Sequence, residues 1–169
     1  MTGTRLLQML LALAGIALGV VAYRVQMDNL PTTTALRSAG SVAAAWSFLL
    51  AGLVAWIRRP RNRLGALMVA TCFALLARQY RYSHDDIAFS VFFLLGELGW
   101  ALFAHVSLAY PYGRVADRLE RAFLRVAYVV AVVFPLATLV FYGGEERLRY
   151  LDPLPRENPL LVVDSPRAV

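Results

Sequence analysis

The amino-acid sequence predicts an all-α fold: a polytopic bundle of about five transmembrane helices with a cytoplasmic N-terminus. Hydrophobic residues make up 59% of the chain and the mean hydropathy is +0.57, above the apolar share of an ordinary soluble domain. Apolar runs recur along the chain near the ~20 residues that a ~30 Å hydrocarbon core requires of a helix. Between them lie short arginine-rich turns, which the positive-inside rule assigns to the cytoplasm.

The first apolar run is Leu6 to Tyr23, after Arg5. It begins as a signal peptide would, but no small-x-small cleavage site precedes Tyr23-Arg24, so an uncleaved anchor is expected. The second runs from Ala39 to Ile57, the third from Leu64 to Tyr80, the fourth from Ile87 to Tyr110, and the fifth from Ala122 to Tyr142. Run three is the weakest, because Arg78 interrupts it. Arg78 is expected to snorkel while Tyr80 and Tyr82 rest in the headgroup belt, so that a short helix still spans. These runs make residues 1–142 one transmembrane domain.

Orientation follows from the flanks. Arg58, Arg59, Arg61 and Arg63 join runs two and three, and Arg114, Arg118 and Arg121 join runs four and five. Arg24, Arg37, Arg78 and Arg81 put a lighter load on the opposite side, so both arginine turns are expected inside the cell. Residues 143–169 change character: Gly143-Gly144 ends the fifth run, and Pro153, Pro155, Pro159 and Pro166 forbid a long helix. They read as an extracytoplasmic connector leading to a further span. With five crossings, Val169 lies outside.

The net charge of +6 does not point to nucleic acid, which needs basic residues gathered on one folded face. Here they end apolar runs. All 17 basic residues are arginine, a side chain suited to bidentate contact with phospholipid phosphates, and the bilayer is the expected partner. The single cysteine, Cys72, lies within an apolar run and permits neither an intrachain disulfide nor a thiolate metal cluster.

Glu97 and His105 are the ionisable residues deepest in an apolar run, which makes each a candidate for sensing or gating. Eight steps of ~100° return a helix to within ~80° of the same direction, so both fall near one stripe. The plainer reading of His105 is a hydrated or carbonyl-bonded histidine near the cytoplasmic interface. For Glu97, between Gly96 and Gly99, it is a structural polar contact where helices approach closely. His84-Asp85-Asp86 reads as a helix N-terminal cap, since a metal site would need ligands that the sequence does not supply nearby. No phosphate loop, HExxH, GxSxG or paired nucleophile and base occurs, so no catalytic, cofactor or metal residues are assigned and no enzyme is expected within these residues.

Two motifs carry a resemblance. Arg58-Arg59-Pro60-Arg61-Asn62-Arg63-Leu64-Gly65-Ala66-Leu67-Met68 resembles the turn between early membrane helices in a large group of actinobacterial sensor histidine kinases. His105-Val106-Ser107-Leu108-Ala109-Tyr110-Pro111-Tyr112-Gly113-Arg114 is similar to a helix end in the same proteins, and Asn158-Pro159-Leu160-Leu161-Val162 to their outer connector. The pieces make physical sense: Pro60 stops one helix, Asn62 caps the next, Gly65 permits close packing, and Pro111 with Gly113 turns the chain toward Arg114.

The resemblance implies the membrane-embedded sensory or anchoring module of a two-component sensor kinase in the plasma membrane, as a homodimer. It would reach a cognate response regulator only through a kinase core that these residues do not include. The alternative is a stand-alone small membrane protein, a structural partner or transporter subunit. A lipid-modifying enzyme is disfavoured because Arg78 and His105 are expected at opposite interfaces.

Overall fold

The computed structural model describes residues 3–29, 35–80 and 86–141. Five helices follow one another: α1 (Gly3–Asn29), α2 (Ala35–Arg58), α3 (Leu64–Gln79), α4 (Asp86–Ala109) and α5 (Arg118–Phe141). The all-helical bundle is therefore as the sequence predicts, and no strand occurs among the described residues. The expectations for Tyr82, Arg81, His84, Asp85 and the connector 143–169 lie outside the described residues.

Helix bounds differ from the apolar runs where backbone hydrogen bonding outlasts hydrophobicity. α1 continues past Tyr23 through Arg24 to Asn29, and Gln26 turns its amide back to the Ala22 carbonyl at 3.3 Å. α5 starts at Arg118 rather than Ala122, because Asp117 accepts the Arg118 N–H with its side chain at 2.6 Å and the Arg121 N–H with its carbonyl at 3.2 Å. α4 stops at Ala109, one residue before Tyr110.

Each helix runs antiparallel to the one before it. Gly15 faces Leu49 and Gly19 faces Trp46, Gly65 meets Gly52 and Trp56, Gly96 meets Arg78 while Gly99 meets Ala74, and His105 pairs with Tyr128. Four of the helices, α1, α2, α4 and α5, are long and apolar enough to cross a membrane. α3 is shorter, at 16 residues. Its length of ~24 Å falls short of the ~30 Å core.

Packing explains how so short a helix is accommodated. α3 contacts α1, α2 and α4, and buries Leu64, Gly65, Val69, Thr71, Cys72, Ala74 and Leu76. Its buried face, from Leu64 to Leu76, thus meets longer neighbours. α5, by contrast, packs on α4 alone among the described helices and leaves Phe123, Val126, Val129, Val130, Val133 and Phe134 exposed. In a bilayer those residues meet acyl chains.

Close approach is needed most at Gly65. A Cβ there would sit 2.6 Å from the Trp56 backbone nitrogen and 2.7 Å from the Gly52 carbonyl oxygen, and neither backbone atom can swing aside. The structure therefore supports the packing role expected of this glycine. Two long-range hydrogen bonds fasten α1 to the rest: the Trp46 indole N–H donates to the Gly15 carbonyl at 3.1 Å, and the Tyr80 hydroxyl donates to the Leu18 carbonyl at 2.9 Å.

Candidate functional site

The two turns that the sequence singled out meet. In the first, α2 ends at Arg58, the Arg59 N–H still bonds the Ala55 carbonyl, and a tight turn brings the Asn62 N–H to the Arg59 carbonyl at 2.9 Å. The Asn62 side chain then serves two partners. Its Oδ1 accepts the Leu64 N–H at 2.9 Å, and its Nδ2 donates to the Pro111 carbonyl at 3.2 Å, 49 residues along the chain. Asn62 thus caps α3 through an Asx turn from one position before the N-cap residue Arg63, whose own side chain makes no capping bond.

The second turn is shaped to receive it. The Gly113 N–H closes the end of α4 on the Ala109 carbonyl at 2.7 Å, with Gly113 at φ +71°. That backbone conformation favours glycine, and a Cβ at Gly113 would collide with the Asn62 carboxamide oxygen. Gly113 is therefore fixed twice, by conformation and by contact.

Between the two turns and the first turns of α5 lies a cavity of about 1320 Å³. Arg61, Arg63, Arg114, Arg121 and Arg125 line it, and no carboxylate does so among the described residues. Part of its wall is apolar, formed by Ala66, Leu67, Leu124 and Val129. His105 and Tyr128 also line it: Nδ1 and the hydroxyl oxygen are 3.0 Å apart, and the rings meet edge to face at 5.9 Å and 81°. Where Nδ1 carries no proton, the Tyr128 hydroxyl donates to it. The partner of His105 is thus a side chain of α5.

Glu97 lies elsewhere. It lines a smaller cavity of about 320 Å³ between α4 and α5, with Trp100, Ala101, Ala131 and Pro135 around it. Pro135 has no N–H to give the Ala131 carbonyl, so the α5 ladder is interrupted on the wall of that cavity. Although Glu97 and His105 share α4, the structure does not bring them into one cavity. Arg78 packs its stem on Gly96 and lays its guanidinium over the Trp100 ring at 5.2 Å, so it turns back along α4 rather than reaching past the end of α3.

Of the motif residues, Asn62, Arg63, Gly113 and Arg114 line the arginine cavity, and the Pro111 carbonyl holds Asn62 beside it. Arg59 and Pro60 border a shallower neighbouring pocket with Arg61, Asn62 and Tyr112, while Arg58 lines neither. Sequence reading missed Arg125 and Tyr128. The signal was present in the spacing Arg121, Arg125, Tyr128, which places three polar side chains on one face of an otherwise apolar helix.

No protein-family model, curated protein or solved structure matches this chain. The arrangement of its own residues therefore carries the functional argument.

Proposed function

We propose that this chain is a non-catalytic membrane module, sensory or anchoring, of a two-component sensor histidine kinase in the plasma membrane. The observation that supports it most is the Asn62 to Pro111 hydrogen bond, because it joins the two motifs on which the resemblance rests. Two unrelated turns would have no reason to interlock, whereas the paired turns of one module would. Both arginine turns face the same end of the bundle, which the positive-inside rule makes the cytoplasmic one.

In this reading the chain works as a homodimer, and a signal travels as displacement of one packed helix against another between two arrangements of similar energy. α5 is the element best placed to move, since α4 is its only packed neighbour among the described helices. Glu97 and His105, each beside the α4 and α5 seam, are the candidate sensing groups.

The test is to read the genomic frame beyond Val169 and assay the encoded protein. A further apolar span, a phosphoacceptor helix and ATP-dependent autophosphorylation in membranes are expected; a stop codon after Val169 would refute the kinase reading. In the full-length protein, a Glu97→Gln variant whose stimulus response is unchanged across pH would remove Glu97 as the sensing group.

A further inference from the structure

We propose that the cavity between the two arginine turns is a binding site for the phosphate headgroup of an anionic phospholipid, whose acyl chains leave along the exposed face of α5. The site is independent of the kinase reading and requires only that the chain lie in a membrane with the two turns on the cytoplasmic side.

Charge is the first argument. Arg61 and Arg63 come from the first turn, Arg114 from the second, and Arg121 and Arg125 from α5, so three separate stretches of chain contribute arginines to one cavity. Among the described residues none of these five arginines forms an ion pair, and no carboxylate lines the space between them. An anion there meets several cationic side chains at once, and a guanidinium fork matches phosphate oxygens in bidentate geometry. The positive-inside rule explains why arginines lie at this end, but it does not require them to share a cavity. Arg58 satisfies that rule without lining the cavity at all.

Size and shape select a lipid over free phosphate. The volume of about 1320 Å³ exceeds the ~300–1,000 Å³ typical of small-molecule pockets, and a lone inorganic phosphate would leave most of it empty. The lining is also mixed: arginines share it with Leu67, Leu124 and Val129. Val129 is both part of the wall and 59% exposed, so the cavity opens sideways onto the apolar α5 surface that continues through Val126, Val130 and Val133. A phosphate headgroup among the arginines, with methylenes leaving past Val129, fits that combination of charged and apolar lining. The level of the turns is also where anionic lipid of the cytoplasmic leaflet meets basic side chains.

The test uses the full chain in neutral detergent, titrated with phosphatidylglycerol or phosphatidylcholine and read by native mass spectrometry. Preferential binding of phosphatidylglycerol is expected. Arg121→Gln combined with Arg125→Gln should weaken it by about 30-fold, and Arg114→Gln alone, in a turn outside every helix, by about 5-fold. Arg58→Gln should leave it within about 2-fold, as its charge lies outside the cavity. Equal binding of phosphatidylcholine would overturn the proposal. So would an Arg58→Gln loss as large as that of the cavity variants, which would mean topogenic charge attraction only. Displacement of phosphatidylglycerol by millimolar inorganic phosphate would mark a free-phosphate site and overturn the lipid assignment.

Discussion

Replacing Asn62 by alanine tests whether the two turns act as one unit. The carboxamide makes two hydrogen bonds, Oδ1 with the Leu64 N–H at 2.9 Å and Nδ2 with the Pro111 carbonyl at 3.2 Å. The first is a helix cap, worth about 1 kcal/mol. The second lies in an exposed setting, where water competes, so it belongs at the low end of the hydrogen-bond range, about 0.5 kcal/mol. Asn62→Ala should therefore destabilise the bundle by about 1.5 kcal/mol. Asn62→Ser keeps an acceptor for the Leu64 N–H but is too short to reach Pro111, so it should cost only about 0.5 kcal/mol. Both are measured as unfolding free energies in mild detergent by titration with a denaturing detergent, followed by tryptophan fluorescence. A second readout is amide exchange, which should quicken at Leu64 in Asn62→Ala but not in Asn62→Ser. An Asn62→Ala protein within about 0.3 kcal/mol of the parent would refute the coupling, since neither bond would then contribute.

Gly65→Ala should destabilise by about 1–3 kcal/mol in the same assay, because its methyl would overlap the α2 backbone, whereas Gly40→Ala, with nothing within 4 Å, should be neutral or slightly stabilising. Tyr128→Phe removes the hydroxyl from His105 Nδ1 and should cost about 1 kcal/mol, with a change in the His105 ring nitrogen resonances that a mere packing change would not give. Cysteines introduced as Arg61→Cys and Asp117→Cys should react with a membrane-impermeant maleimide from the same side of the membrane, against a background kept low by the full burial of Cys72. Labelling of the two from opposite faces would break the paired-turn topology.

Much of this was legible in the sequence. The apolar runs and the arginines between them determine that the chain is helical and where it reverses, because bilayer thickness and the cost of burying charge act on composition and length alone. Pro60, Asn62, Gly65 and Gly113 were also readable, since each role follows from the residue type itself: a missing N–H, a short polar side chain, an absent Cβ. Helix ends were less so, because Arg24 and Arg118 are polar yet continue the backbone ladder, and polarity says nothing about a hydrogen bond that persists. Glu97 and His105 could be placed on one stripe of α4, but which neighbour each faces depends on where α5 lies.

What only the tertiary structure decided is the joining of distant residues. Nothing in the spacing of Asn62 and Pro111 announces their hydrogen bond, and nothing in Tyr128 predicts His105 as its partner. The two arginine turns lie about 50 residues apart, and a one-dimensional charge rule assigns them a side without assigning them a distance. Their approach, and the cavity between them, follow from α3 packing against both α2 and α4, with Gly65 close against the α2 backbone. The sequence by itself determined the helices and where the chain reverses between them. Side-chain packing across three of them determined that five arginines share one space.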